Sequence, residues 1–288
     1  MKIYLAGSEN FCKYGEHLDL YLAGTIYNKN GTKKIEGGGQ DTMNVYLAGT
    51  ESRPFVHDIR EHDYYILETF FSINAKNKEI IRAWNKSKFL LDSGAFTFMN
   101  SSHKAKVDFF EYAERYADFI NEMGITQFFE LDIDSIVGYE KVKEIRKLIE
   151  RKTNKQAIPV WHVSRGKEDF IETCKKYRYV AIGGIVTKEI SPQQYKYFPS
   201  FIDIAHKYNA KIHGLGFTNL SYLPICHFDS VDSTSWTTGN RFGFIYKFNG
   251  KTMVKVDVPK GKRLNPMKGA CNNFVEWLKF QRYAENNL

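Results

Sequence analysis

From about residue 43 onward, short β-type runs alternate with longer stretches of helical period, and this alternation constrains the chain more than anything else in it. The runs are Val45–Gly49, Ile66–Phe71, Phe89–Asp92, Gln127–Asp132, Ile158–His162, Tyr179–Gly183, Lys211–Gly216 and Phe228–Asp232. Two of the intervening stretches are clear helices. Residues 106–124 place aromatics at i, i+3 and i+4 and stop at Gly124, and residues 138–152 are amphipathic and highly charged. The second run, within YYILETFFSI, reads equally well as helix. Eight strands with helices between them predict an α/β chain folded as a (β/α)₈ TIM barrel rather than an open sheet.

A length of 288 residues suits one such barrel with appendages. The expected division is an N-terminal extension and Gly-rich connector over 1–42, a barrel over 43–241, and a basic hairpin and helix over 242–288. Tyr-Leu-Ala-Gly occurs at Tyr4, Tyr21 and Tyr46, which is compatible with a partial duplication of the first strand. Asn249-Gly250 predicts a tight type I′ hairpin turn, and residues 272–283 predict a helix.

Lys and Arg number 41 against 33 Asp and Glu, a formal charge of +8, which favours a polyanionic partner. No apolar run approaches the roughly 20 residues of a membrane helix, and MKIYLAGSENF lacks a secretory pattern, so no membrane partner and a cytoplasmic location are expected. Cys12, Cys174, Cys226 and Cys271 have neither zinc-ligand spacing nor a paired framework, so free thiols are expected.

Barrel enzymes assemble their sites at the C-terminal ends of the strands, and here those ends are polar. Asp92 ends the third run, Glu130, Asp132 and Asp134 the fourth, and His162 the fifth. Gly183-Gly184 follows the sixth, His213 lies on the seventh, and Asp229 and Asp232 close the eighth. Any one of them has an ordinary explanation as a turn, a cap or a hydrogen-bonded strand end. Together they are harder to dismiss, because buried carboxylates cost several kcal/mol unless paired or used. Alternation puts Glu130, Asp132 and Asp134 on one side of their strand. A carboxylate there can accept from N1–H and the exocyclic amine of guanine, and a Gly-Gly pair lets backbone groups approach a flat ligand.

In this order the motifs resemble those of the tRNA-guanine transglycosylase superfamily, in particular its short phage and DNA-modification-island relatives, over about residues 43–241. DSGGFQ resembles Asp92-Ser93-Gly94-Ala95-Phe96, FDEC resembles Leu131-Asp132-Ile133-Asp134, and GGLAVGE resembles the stretch from Gly183-Gly184 to Glu189. MGVG resembles His213-Gly214-Leu215-Gly216. The nucleophile motif resembles Phe228–Asp232 followed by Thr237-Thr238-Gly239-Asn240-Arg241. The resemblance implies Asp232 as nucleophile rather than Asp229, and Asp92 as general acid/base. It implies a base pocket of Ser93, Asp132, His162, Gly183, Gly184 and His213. Thr97 stands where the family has glutamine, Ala95 replaces its second glycine, and the strand-five glutamine falls near His162 or Ser164.

The activity implied is exchange of guanine in nucleic acid for a free 7-deazaguanine such as 7-cyano-7-deazaguanine, with no metal and no other cofactor. The family's cysteine-rich zinc subdomain has no counterpart, since Cys271 is the only cysteine beyond Asp232. That favours DNA over tRNA. Expected nucleic-acid contacts are Arg241, Lys260, Lys262, Arg263 and Lys268, with Trp236 as a stacking wedge. A homodimer is compatible with this reading, and the location becomes a host's cytoplasm if the gene is a phage's. The alternatives are a queuine- or archaeosine-type tRNA enzyme, a barrel glycoside or nucleoside hydrolase, a metal-dependent hydrolase using the fourth-strand acids with His162 and His213, and a non-catalytic nucleic-acid-binding paralogue. The HxH pair that metal-dependent barrel hydrolases often carry on strand one is missing from VYLAG.

Overall fold

A computed structural model of the protein describes residues 42–58, 63–95, 97, 107–259 and 264–288, with the side chains of Asn240 and Arg241 outside the description. The Tyr4 and Tyr21 repeats, Cys12, Lys260, Lys262 and Arg263 also lie outside it.

Seven parallel strands form one curled sheet: β1 (Asn44–Ala48), β2 (Ile66–Thr69), β3 (Phe89–Asp92), β4 (Val160–Trp161), β5 (Tyr179–Ile182), β6 (Lys211–Gly214) and β7 (Ser230–Ser233), in the order β3-β2-β1-β7-β6-β5-β4. Residues 127–130 are not a regular strand, yet they bond on both sides. Leu91 N–H donates to Gln127 O and Phe129 N–H to Leu91 O, while Ile158 N–H donates to Phe128 O and Glu130 N–H to Ile158 O. This segment therefore links the two edges of the sheet.

Six of the eight runs are shorter than the sequence suggests, and two of these have a local cause. The second is strand only to Thr69, after which Phe70–Ser72 turns as a 3₁₀ segment. The fifth starts at Val160 because Pro159 has no N–H to donate, and the Val160 N–H is taken by the Glu130 side chain at 2.8 Å. Nothing in the structure explains why 127–130 is limited to isolated bridges.

Strand alternation sorts the side chains into two cores. Tyr46, Ala48, Leu67, Leu90, Val160 and Ala181 fill the interior of the curled sheet. Val45, Leu47, Ile66, Leu91, Val180, Ile212 and Val231 face outward into the core shared with the helices. Among the described residues the α-helices are α1 (Ala75–Ala83), α2 (Phe109–Met123), α3 (Asp134–Val137), α4 (Tyr139–Thr153), α5 (Gly166–Lys176), α6 (Phe198–Lys207), α7 (Leu223–Cys226) and α8 (Pro266–Asn287). Helix α2 shows why these boundaries fall where they do. Asp108 Oδ1 accepts from the Phe110 and Glu111 N–H groups at its start, and Gly124, at φ 65°, ends it.

After β7 the chain forms an antiparallel hairpin, β8 (Phe244–Phe248) and β9 (Met253–Asp257). Its turn is not centred on Asn249-Gly250 as expected, since Asn249 N–H donates to Thr252 O at 3.1 Å and Gly250-Lys251 lie between them. Phe248 pairs with Met253, which leaves four residues, and Asn249 Oδ1 closes them by accepting from the Lys251 and Thr252 N–H groups.

Helix α8 then packs into the common core through Phe274, Trp277 and Phe280. Its Gln281 is buried between the first two strands. Nε2 donates to Val45 O at 2.6 Å and Tyr65 O at 2.9 Å, and Oε1 accepts from Tyr65 N–H at 3.0 Å. Cys174 and Cys226 are free and buried, whereas Cys271 on α8 is disulfide-bonded, a departure from the expected free thiols. No described helix is long and apolar enough to cross a membrane.

Candidate active site

Two residues beyond an inward-facing strand residue comes another inward-facing one. Leu90 is followed in this way by Asp92, Val160 by His162, and Ser230 by Asp232. These polar residues therefore stand where the apolar interior ends, around a cavity of about 1070 Å³ whose walls include Asp92, Asp132, His162, Gly184, Gly216 and Asp232.

Asp92 lies beside Thr69 in the β2–β3 register and accepts from the Gly94 N–H at 3.0 Å. Burial pushes its carboxyl up to about 6. The Gly94 and Thr69 hydrogen bonds hold it back, and the charges of Asp232 and Asp132 push it further up. Gly94 is required here, because at φ 86° an added Cβ would sit 2.6 Å from Phe71 Cβ.

Asp232, opposite Tyr46 in the β1–β7 register, has one engaged oxygen. Oδ1 accepts from Gly216 N–H at 2.6 Å and lies 3.1 Å from His213 Nε2, whereas Oδ2 has no protein donor among the described residues. Asp229 is placed quite differently. Its Oδ2 accepts from Ile212 N–H at 2.7 Å and lies 2.9 Å from His206 Nε2, and it is not part of the cavity wall.

Asp132, His162 and Glu189 form one ionic unit. His162 Nε2 lies 2.8 and 3.0 Å from the two Asp132 oxygens, and Nδ1 lies 2.8 Å from Glu189 Oε2. Burial alone would lower the pKa of this imidazole, but the bonds and charge of Asp132 and the bond to Glu189 outweigh it and raise it to about 9. Below them Glu130, fully buried, bonds Arg146 at 3.0 Å and the Val160 amide. Asp134 bonds Arg165 Nη2 at 2.8 Å, and that guanidinium lies 4.0 Å over the Tyr139 ring. The three fourth-strand acids thus take three different roles, and of these Asp132 and Asp134 reach the cavity.

Several expected base-pocket residues are placed elsewhere. Ser93 is buried, does not line the cavity, and offers its carbonyl to the Tyr112 hydroxyl at 2.7 Å. His213 is wholly buried behind Asp232, because its strand position precedes the strand end. Gly183 leaves room for a neighbour rather than a ligand, since a Cβ there would meet His162 Cε1 and Val160 Cγ1 at 2.8 Å. Gly184 does line the cavity, at φ 79°.

Trp236 cannot act as an exposed wedge. It is completely buried, donates Nε1–H to Ala48 O at 2.9 Å and packs on Phe274. Of the expected basic contacts, Lys268 is exposed on α8, and the side chains of Arg241, Lys260, Lys262 and Arg263 fall outside the described residues.

Sequence reasoning gave no role to Glu189, Arg165 or the Gly216 amide. Glu189 closes the very segment that begins at Gly183-Gly184, and a carboxylate following a glycine pair with a histidine on the preceding strand was the available signal. Arg165 carried no such signal, because its pairing with Asp134 joins residues 31 positions apart.

Asp132, Asp134 and His162 present donor atoms within 4.8 Å of one another. Their charge is already met internally. His162 Nε2 is on Asp132, and Arg165 lies 2.8 Å from Asp134 and 3.9 Å from Asp132. His213, the fourth ligand of the metal-hydrolase alternative, is engaged with Asp232 instead.

No protein-family model and no curated protein matches the sequence. Solved structures do match the fold. One of them, from Coccidioides immitis and assigned as a fructose-1,6-biphosphate aldolase, superposes with a TM-score of 0.50 over 86% of this chain and 90% of its own, at 9% identity. At that identity the likeness speaks for a TIM-barrel-like α/β fold alone.

Proposed function

We propose that this chain is a base-exchange transglycosylase that replaces guanine in a nucleic acid, with DNA favoured over tRNA, by a free 7-deazaguanine. In this reading residues 127–130, bonded on both sides, are the eighth strand position of a complete (β/α)₈ barrel. The observation that carries the reading is one juxtaposition. Asp92 and Asp232 end β3 and β7 on the same cavity, the first with a carboxyl raised to about 6 and the second with an unengaged oxygen.

A carboxyl that titrates near neutrality can both give and take a proton, as general acid/base work requires. Asp232 Oδ2 attacks C1′ of the target nucleotide, the C1′–N9 bond breaks, and its electron pair leaves with the guanine, which Asp92 protonates. The incoming deazaguanine then attacks C1′ through N9, its N9 proton passes to Asp92, and the C1′–Asp232 ester bond breaks. Asp132 is the acceptor for the donor edge of the base, next to the backbone of Gly184. A guanine in a duplex has to be flipped out first, which costs a few kcal/mol, and the +8 charge favours the phosphate contacts that offset it.

The same pair of carboxylates also suits a retaining nucleoside or glycoside hydrolase, in which water rather than a base resolves the ester. Incubating the protein with radiolabelled guanine and either DNA or bulk tRNA separates these readings. Exchange puts label into the polymer, whereas hydrolysis releases base and incorporates none. Asp232→Asn keeps the shape and removes the anion, so it should abolish incorporation and any covalent protein–polymer adduct while polymer binding persists. Near-normal incorporation by that variant would exclude Asp232 as nucleophile.

A further inference from the structure

Behind Asp232 runs a buried polar chain that the exchange reaction, as written above, uses only at its last member. His213 is wholly buried, with its ring edge-on to Tyr46, Phe129 and Tyr179. Its Nε2 lies 3.1 Å from Asp232 Oδ1 and its Nδ1 2.6 Å from Ser230 Oγ, and Ser230 Oγ is hydrogen-bonded in turn to the Tyr179 hydroxyl.

A carboxylate can only accept, so His213 Nε2 carries the proton between those two groups. With the ring in that tautomer, Nδ1 accepts from the Ser230 hydroxyl and the Ser230 oxygen accepts from the Tyr179 O–H. Every link then points the same way, from Tyr179 towards Oδ1. The Gly216 N–H reaches the same oxygen at 2.6 Å, from a residue at φ 69° where an added Cβ would lie 2.3 Å from Val186 Cγ2. Two donors converge on Oδ1 and, among the described residues, none on Oδ2.

The placement is informative because the other described residues filling the interior of the curled sheet are aliphatic or aromatic, with Tyr46 sending its hydroxyl to Gln127 Oε1 at 3.3 Å. His213 pairs in register with Ser230, and Tyr179, two residues before Ala181 (the β5 partner of His213), packs against the inner cluster and reaches them with its hydroxyl, so a Tyr, a His and a Ser stand on three adjacent strands where aliphatic residues would fill the space without a desolvation cost.

We propose that Tyr179, Ser230 and His213 are positioning residues that, together with the Gly216 amide, hold Oδ1 of Asp232 and so make Oδ2 the attacking atom. The proposal rests on the reading of Asp232 as nucleophile. Oδ1 shares its charge with two donors while Oδ2 keeps a lone pair for C1′. Rotation of the carboxylate, which would exchange the two oxygens and misaim the attack, is blocked by both donors at once.

Asn and Gln substitutions separate the two ring nitrogens, since an Asn amide sits near the position of Nδ1 and a Gln amide near that of Nε2. His213→Asn should keep the link to Ser230 but lose the donor to Asp232. It should lower kcat for incorporation of radiolabelled guanine about 10²-fold, with KM for guanine nearly unchanged. His213→Gln should recover most of that loss. Tyr179→Phe, which removes one oxygen remote from Asp232, should lower kcat less, again without moving KM.

Wild-type kcat in His213→Asn or in Tyr179→Phe overturns the proposal, as does a His213→Gln variant no better than His213→Asn. Ring ¹⁵N spectra of the wild-type protein read the chain without catalysis. An Nε2-protonated His213 is expected, and an Nδ1-protonated one overturns the chain. Asp232→Asn in the same assay distinguishes the two levels. If it still incorporates guanine, the nucleophile reading fails and this proposal with it. If it is inactive while Tyr179→Phe and His213→Asn are unimpaired, only the positioning proposal falls.

Discussion

Asp92 is held in an environment that works against its charged form, and this has a measurable signature in stability. Its carboxyl is raised from an ordinary value of 3.8 to about 6 in the folded protein. A raised acid stabilises the fold fully below its unfolded pKa and loses that contribution as pH climbs through the folded value. Asp92→Asn should therefore stabilise the protein at pH 7, by on the order of 1–2 kcal/mol after allowance for partial solvent access, and should do little near pH 3. Thermal melts of both proteins across that range check this, and an equal gain at both ends would contradict it. On the proposed mechanism the cost should appear in activity, since the same variant lacks the acid/base assigned to Asp92. His162 has the opposite consequence. Its raised value, about 9 against 6.5, adds stability that is complete below about pH 6.5 and disappears as pH rises through about 9. Glu189→Gln replaces one of its two carboxylate acceptors by a neutral amide, so in an NMR titration of the ring the midpoint should move down towards neutrality. An unmoved midpoint would mean that Asp132 alone sets it.

At the scale of elements, the glycine pair after β5 and the glutamine in α8 carry the sharpest expectations. Gly183→Ala puts a methyl 2.8 Å from both His162 and Val160, which should destabilise the fold by about 1–3 kcal/mol and push the imidazole off Asp132. Gln281→Leu strips three buried hydrogen bonds from the β1–β2 edge and should cost about 2–4 kcal/mol in denaturant unfolding, with no direct effect on the cavity. These two sites also mark where sequence reading succeeds and where it stops. The strands were legible because inward and outward faces differ in kind, as with Val45 and Leu47 against Tyr46 and Ala48, and because Gly124 and Asp108 punctuate α2 chemically. Asp92, Asp132 and Asp232 were legible as carboxylates at strand ends. The burial of His213 and Trp236 was not, since each depends on what lies across the sheet, and a ring at a strand end looks the same in sequence whether it faces a cavity or Phe274. The pairing of Gln281 with Val45 was equally invisible, because hydrophobic period says nothing about a polar residue 236 positions away.

For the whole molecule, the arrangement of charge decides what the protein requires and what it binds. Arg165 and His162 already pair with Asp132 and Asp134, so extended treatment with a strong chelator should leave the proposed guanine exchange unchanged. Activity lost to the chelator and restored by a divalent ion would favour the metal-dependent hydrolase instead. On the proposed reading, the net charge of +8 predicts that affinity for DNA or tRNA falls steeply as salt rises, and that Asp232→Asn shares the wild-type slope, because phosphate contacts and not the proposed nucleophile would set it. The bond from Gln281 to Val45 also governs how the protein comes into being. The first strand emerges from the ribosome long before its partner in α8 exists, and β1 also waits for β7 to supply the Tyr46–Asp232 pairing. Until then a nascent chain carries an open strand edge, so the interval between synthesis of β1 and synthesis of α8 is when this protein is most exposed to misassembly and most dependent on chaperones.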